Sequence, residues 1–169
     1  MRKNEQLSQK SVIAGLQTEI AYPHKVSKIV VNETHISWIF LTGSYAYKIK
    51  KNLKFGKVLD FSSLQLRKIS CQKEVKLNRI LCGSMYMSVV KVVKNKDNTL
   101  RIADLKHKGK PFEYAVKMKE IPEQYRLDNL LITRKVSFRT IEKLVEILVR
   151  FHIHTRTSKK LSVMVDHSS

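Results

Sequence analysis

From Tyr45 to Lys50 the chain alternates without a break. Tyr45, Tyr47 and Ile49 fall on one face of an extended strand, and Ala46, Lys48 and Lys50 on the other. The run before it, Ile36 to Leu41, is apolar and rich in β-branched and aromatic residues, and Thr42-Gly43-Ser44 between the two is a hairpin signal. Lys25 to Val31 predicts another short strand, bounded by Asn32-Glu33-Thr34-His35. Residues 25–50 therefore read as an antiparallel meander.

Around this meander the pattern changes period. Ile13, Leu16 and Ile20 recur at helical spacing within residues 5–20, with Gly15 weakening the run and Tyr22-Pro23-His24 ending it. After a loop with Gly56 and Asp60, Ser62 and Gln65 have the spacing of a capping box, opening a helix to about Leu81 that Cys82-Gly83-Ser84 stops. Its expected apolar face is Leu66, Ile69, Leu77, Ile80 and Leu81, with Glu74 on the rim. Met85–Val93 and Thr99–Ala103 read as strands about an Asn95–Asn98 turn, followed by a basic loop, Lys106–Pro111. Phe112–Glu120 alternates again, with Phe112, Tyr114, Val116 and Met118 opposite Glu113, Ala115, Lys117 and Lys119, and Pro122 ends it. A short helix at Leu127–Leu131 and a longer one at Phe138–His154 follow, the latter with Ile141, Leu144, Leu148 and Phe151 or His152 on one side. Residues 155–169 are polar and expected to be loosely held. The expected class is α+β, an antiparallel sheet of about five strands with one helix packed across it. Residues 1–24 form an N-terminal helical segment, 25–122 the sheet, and 123–169 the closing helices and tail.

The chain has 169 residues, enough for one domain with a real core. Lys and Arg number 33 against 14 Asp and Glu, a formal charge of +19 that implies an anionic partner or non-specific adhesion to nucleic acid. The basic residues are spread along the chain, and no RGG tract, zinc-finger spacing or RNP-like motif accompanies them. Cys71 and Cys82 have no Cys or His cluster around them, which fits a reducing compartment. No run of 18 apolar residues is present, and the charged start MRKNEQLSQK lacks the apolar core of a secretory signal, so a cytoplasmic location without membrane contact is expected.

A small residue two positions before a lysine, on one face of a strand, leaves room for a flat adenine ring and lets the lysine reach the α- and β-phosphates. An amphipathic hairpin with a solvated lysine edge gives the same pattern. The longer stretches add to this. VVNETHISWIFLTGSYAYKIKKNLKFG, LDFSSLQLRKISCQKEVKLNRIL, MYMSVVKVV and YAVKMKEIP together resemble one aminoglycoside-phosphotransferase-like family of protein-kinase-like fold. That family is found as the N-terminal domain of bacterial proteins carrying a P-loop ATPase domain after it. The resemblance covers roughly residues 20–155, and its most specific pieces are ETHISWIFLTG, YAYKIKK and the E-x-x-x-N-R-x-L run at 74–81.

The resemblance implies a kinase-like N-lobe, then a hinge and the first C-lobe helix. Lys48 would take the phosphates and Glu74 would ion-pair with it. The Thr34-His35-Ile36-Ser37 turn would stand in for a glycine-rich loop, contacting phosphate through backbone N–H groups and the Thr34 and Ser37 hydroxyls, with His35 an ambiguous contact. Ala46 would roof the adenine, and Met118, Glu120 and Ile121 would offer hinge backbone to its edge. The cofactor implied is ATP, weakly bound, with Mg²⁺ only if a C-lobe is supplied. The chain departs from the family where catalysis would lie. After residue 130 there is one aspartate, Asp166, and His152-Ile153-His154 has no aspartate in an H-x-D-x-x-x-x-N arrangement. The expectation is a catalytically incomplete nucleotide-binding lobe with no catalytic or metal residue. Its alternatives are a basic nucleic-acid-binding module on the same fold, or half of a split phosphotransferase whose C-lobe or ATPase domain is a separate chain.

Overall fold

A computed structural model of the chain describes residues 8–56 and 58–154. It divides into two compact units, Met1–Ile121 and Pro122–Ser169. The first unit is mixed α+β. Its strands are β1 (Val30–Glu33), β2 (Ser37–Leu41), β3 (Tyr45–Lys50), the two-residue pair β4 (Lys54–Phe55) and β5 (Leu59–Asp60), β6 (Tyr86–Lys94), β7 (Leu100–Asp104) and β8 (Glu113–Lys119). Six of them form one antiparallel sheet in the order β1-β2-β3-β8-β6-β7, one strand more than the expected five.

The first strand lies later than the sequence pattern suggests. The Thr34 N–H donates to the Ser37 carbonyl at 2.8 Å, closing the β1–β2 turn, so pairing starts at Glu33↔Trp38 and runs back to Val30↔Leu41. The β2–β3 hairpin turns on Thr42-Gly43-Ser44 as expected, with Gly43 at φ +89°, a region only glycine enters readily. Its register pairs Ser37 with Lys50, Ile39 with Lys48 and Leu41 with Ala46, so these six side chains share one face.

The opposite face carries the larger core. Phe40, Tyr47, Ile49, Val90, Val92, Ile102 and Ala115 pack there against Val12 and Ile13 of helix α1 (Gln9–Gly15), against Leu16 just after it, and against Tyr22. The helix is shorter than the expected 5–20, whose first residues lie outside those described. Ser8 caps it, it ends at Gly15, and a single 3₁₀ turn, Glu19–Ala21, leaves Ile20 65% exposed. A Cβ on Gly15 would stand 2.7 Å from Leu100 Cδ1, so any larger residue there would have to push the Leu100 side chain aside.

Helix α2 (Leu64–Cys82) crosses the Lys48 face. Its cap is Ser63, whose hydroxyl accepts the Leu66 N–H at 3.1 Å, and not Ser62. Asp60 competes for Ser62, taking its N–H at 3.0 Å and its hydroxyl at 2.6 Å. Gly83, at φ +50°, ends the helix. The helix is also rotated from the expected orientation. Arg67, Cys71 and Val75 are buried, whereas Leu66, Ile69, Leu77, Ile80 and Leu81 are exposed, Leu77 at 61% and Ile80 at 66%. At 100° per residue the two sets cannot both face inward, and the inward set is the one with charged partners on the sheet. Along β8, Tyr114, Val116 and Met118 meet α2 as the alternation predicts, but Phe112 precedes the strand and packs on the α1 core.

The second unit holds a 3₁₀ turn, Glu123–Tyr125, and helices α3 (Leu127–Ile132) and α4 (Phe138–His154), close to the expected spans. Neither helix has a buried residue. Residues 155–169, expected to be loosely held, lie outside the described residues.

Candidate functional site

Strand alternation turns Ala46, Lys48 and Lys50 toward α2, and the rotation of α2 brings Glu74 over them. Lys48 Nζ donates to Glu74 Oε1 at 2.9 Å, and Lys50 Nζ to Glu74 Oε2 at 2.5 Å. One carboxylate thus holds two ammonium groups. The side chains are 25% exposed for Lys48, 13% for Glu74 and 5% for Lys50, so Lys48 is the cation an incoming anion can reach. Lys50 is walled in, with its Nζ 4.9 Å from the centre of the Phe61 ring. Burial pushes the Glu74 carboxyl upward, but the hydrogen bonds from Lys50 and then Lys48 outweigh it, and the group stays below the usual carboxylate range. With both oxygens engaged, Glu74 positions lysines and is not a general base. Beside it, burial pushes the Cys71 thiol up to about 12, so Cys71 is a packed thiol and not a nucleophile.

The structure brings together Lys48, Glu74 and Ala46, the last buried beside Met118 through the pairing of β3 with β8. It does not present the turn hydroxyls. Thr34 Oγ1 donates to the Ser37 carbonyl and accepts the Ser37 N–H, both at 3.0 Å, so it closes its own turn. Ser37 is fully buried, with Oγ lacking a partner, and its side chain lies under the sheet face instead of at the turn. His35 is exposed at the tip of that turn. Glu120 also differs from the expected hinge role. Its N–H is taken by the Ser44 carbonyl at 3.1 Å, and its carboxylate accepts the Thr42 and Gly43 N–H groups, each at 2.8 Å, clamping the β2–β3 turn. Ile121 is half exposed just beyond.

Three charged residues engaged with this face or with α2 were not singled out by sequence. Lys50 was legible, since the alternation that places Lys48 places it too. Arg67 and Glu113 were not. Arg67 Nε donates to both Glu113 oxygens, at 2.9 and 3.0 Å, and Gln9 Nε2 adds a third bond at 2.7 Å. Glu113 is 1% exposed, a fully buried carboxylate satisfied from two helices.

The residues around Lys48 fit a phosphate group. They do not fit Mg²⁺: among the described residues Glu74 already holds two ammonium groups, and no cluster of three His, Cys, Asp or Glu could hold a metal. Among the described residues no helix is long and apolar enough to cross a membrane. No protein-family model, no curated protein and no solved structure matches the chain.

Proposed function

We propose that the first unit is a nucleotide-binding lobe of the protein-kinase-like, aminoglycoside-phosphotransferase-like kind, working in a reducing, cytoplasmic setting. The observation that carries this reading is the Lys48–Glu74 ion pair at 2.9 Å, with buried Ala46 two residues earlier on the same strand face. A carboxylate that fixes a partly exposed lysine holds its charge at one place for a phosphate, while the small residue leaves room for a flat ring. The Thr34 and Ser37 hydroxyls are no longer part of the proposed site, since the turn and the sheet use or bury them.

These residues bind and orient, and they do not transfer phosphate. Nothing in the sequence to residue 169 supplies an aspartate in an H-x-D-x-x-x-x-N loop, and among the described residues Glu74, the carboxylate on Lys48, is bound by two lysines. A partner segment with those aspartates would complete a phosphotransferase. The test is binding of a non-hydrolysable ATP analogue to the whole chain and to Lys48→Ala. Lys50 still holds Glu74 in that variant, so the fold survives. Loss of a charge-assisted contact lowers analogue affinity by roughly tenfold or more. An unchanged affinity defeats the reading, and ATP turnover by the chain above the Lys48→Ala level defeats the claim of incompleteness. The formal charge of +19 favours one other reading, a nucleic-acid-binding module, which a steep salt dependence of oligonucleotide binding would identify.

A further inference from the structure

Because α2 turns Arg67, Cys71 and Val75 to the sheet, its apolar residues are left on the outside. Leu66, Ile69, Leu77, Ile80 and Leu81 are exposed by 37, 36, 61, 66 and 42%. At 100° per residue the first four fall within an arc of about 80°, a stripe roughly four turns long. Single apolar residues on a surface are ordinary, but a contiguous stripe is a packing surface without its partner. Lys73 lies at the middle of the stripe. It is midway between Leu66 and Ile80 along the chain, and it falls at the centre of their arc around the helix axis.

The charge on this outer side has one sign. Glu74 is the only carboxylate of α2, and both its oxygens are held by Lys48 and Lys50. Lys73 and Lys76 are exposed, and among the described residues neither forms an ion pair. Arg79 is engaged elsewhere, donating to the Tyr86 and Met87 carbonyls. Beside Lys76 a depression of about 410 Å³ has Val75, Met87 and Val89 in its wall, room for a large apolar side chain next to a cation. The surface therefore offers apolar area together with unanswered positive charge.

We propose that the outer face of α2 docks one helix of an acidic partner protein, with Lys73 meeting a carboxylate at the centre of that helix's apolar face. The central place of Lys73 decides among the occupants. A second copy of the chain, paired through a two-fold axis, sets Lys73 against Lys73 between two bodies of formal charge +19. An anionic lipid surface suits cations at the borders of an apolar face, whereas this cation lies on the line that inserts deepest. A nucleic-acid strand finds no aromatic ring to stack on, since the stripe is leucine and isoleucine. A partner carboxylate answers Lys73 while apolar residues on either side of it cover Leu66, Ile69, Leu77 and Ile80. One charged position in an apolar seam also fixes the register, so the leucines supply area and the lysine selects the partner. Lys48 and the nucleotide have no part in this docking.

The probes are two synthetic helical peptides of about eighteen residues, long enough to span the stripe. Each presents leucines on one face, and they differ only in the central residue of that face, glutamate in one and lysine in the other. The whole ¹⁵N-labelled chain is titrated with each to about 1 mM and read at the α2 amides. The glutamate peptide is expected to give saturable shifts at Ile69, Lys73 and Leu77 and to bind roughly tenfold or more tightly than the lysine peptide. Leu77→Ser weakens it by roughly tenfold. Lys73→Glu reverses the order of the two peptides, an inversion that loss of structure cannot produce. Both side chains are exposed, so these variants keep the fold. No α2 shift with either peptide, equal affinity for the two, or an unchanged order in Lys73→Glu overturns the proposal. It is overturned as well if the peptides are silent while vesicles of phosphatidylcholine and phosphatidylserine shift the same amides, which gives the face to a membrane. A dimer in sedimentation that Leu77→Ser abolishes overturns it in favour of a second copy.

Discussion

The two faces of the sheet are held down by different forces. On the α1 face, aromatic and aliphatic side chains from residue 12 to residue 115 make one continuous apolar cluster, and its buried Tyr22 hydroxyl is satisfied by the Leu16 carbonyl at 2.7 Å. On the α2 face the apolar cluster is small, Cys71, Val75, Val89, Tyr114 and Val116, and charged pairs accompany it: Arg67 with Glu113, and Glu74 with Lys48 and Lys50. Apolar burial is non-directional, so it fixes that α1 packs but tolerates how it turns. Hydrogen-bonded charges are directional. On α2 they select one rotation about the helix axis, even at the cost of leaving Leu77 and Ile80 in water.

The largest expected effect tests whether a charge can matter as much as a ring. Glu113→Ala leaves Arg67 buried and unpaired, a loss of about 3–5 kcal/mol, matching the roughly 3–5 kcal/mol expected for Phe40→Ala on the other face. Urea unfolding of both measures it, and a Glu113→Ala cost below about 1 kcal/mol breaks the comparison. Next comes Glu74→Gln, which strands Lys50 and costs about 1–3 kcal/mol. Lys48→Ala costs under about 1 kcal/mol, since its partner keeps Lys50. Equal losses in the two variants would mean that Lys48, not Glu74, holds this corner.

Acid separates the faces further. Burial, then the charge of Lys117, lowers His24 from its ordinary 6.5, and Glu74 is lowered from its ordinary 4.5. In both cases the unfolded chain binds the proton more readily, so stability is full above the ordinary value and falls as pH drops through the lowered one. Urea midpoints should therefore decline in two stages, first below about 6.5 from the His24 side and then below about 4.5 from the Glu74 side. His24→Gln should remove the first stage alone, and a midpoint flat from pH 7 to 5 in the parent would contradict it. The smallest effects belong to the outward stripe of α2, where Leu77→Ser and Ile80→Ser should each change stability by no more than about 0.5 kcal/mol.

Much of the first unit was legible because period-two alternation reports the backbone and not its neighbours. Tyr47 and Ile49 went to one side and Lys48 to the other whatever packed there. The orientation of α2 was not legible for the opposite reason. Counting apolar positions assumes that the apolar side is the buried side, and the partner that draws Arg67 inward stands 46 residues away at Glu113. The hydroxyls of Thr34 and Ser37 look alike in sequence, yet one closes a turn and the other disappears under the sheet. Ser62 and Ser63 are equally good caps until Asp60 engages the first.

The strand order also sets a timetable for synthesis. β8 occupies the middle of the sheet, with β3 on one side and β6 on the other, yet it is the last of the six to be made. Until residue 119 is available, the β1-β2-β3 meander and the β6-β7 hairpin exist as separate pieces, each with a long bare edge. Those edges can pair with any neighbouring chain, so a nascent or interrupted copy is far more prone to association than the finished one. Insertion of a single strand then removes both of these edges at once and leaves only β1 and β7 at the rim of the sheet.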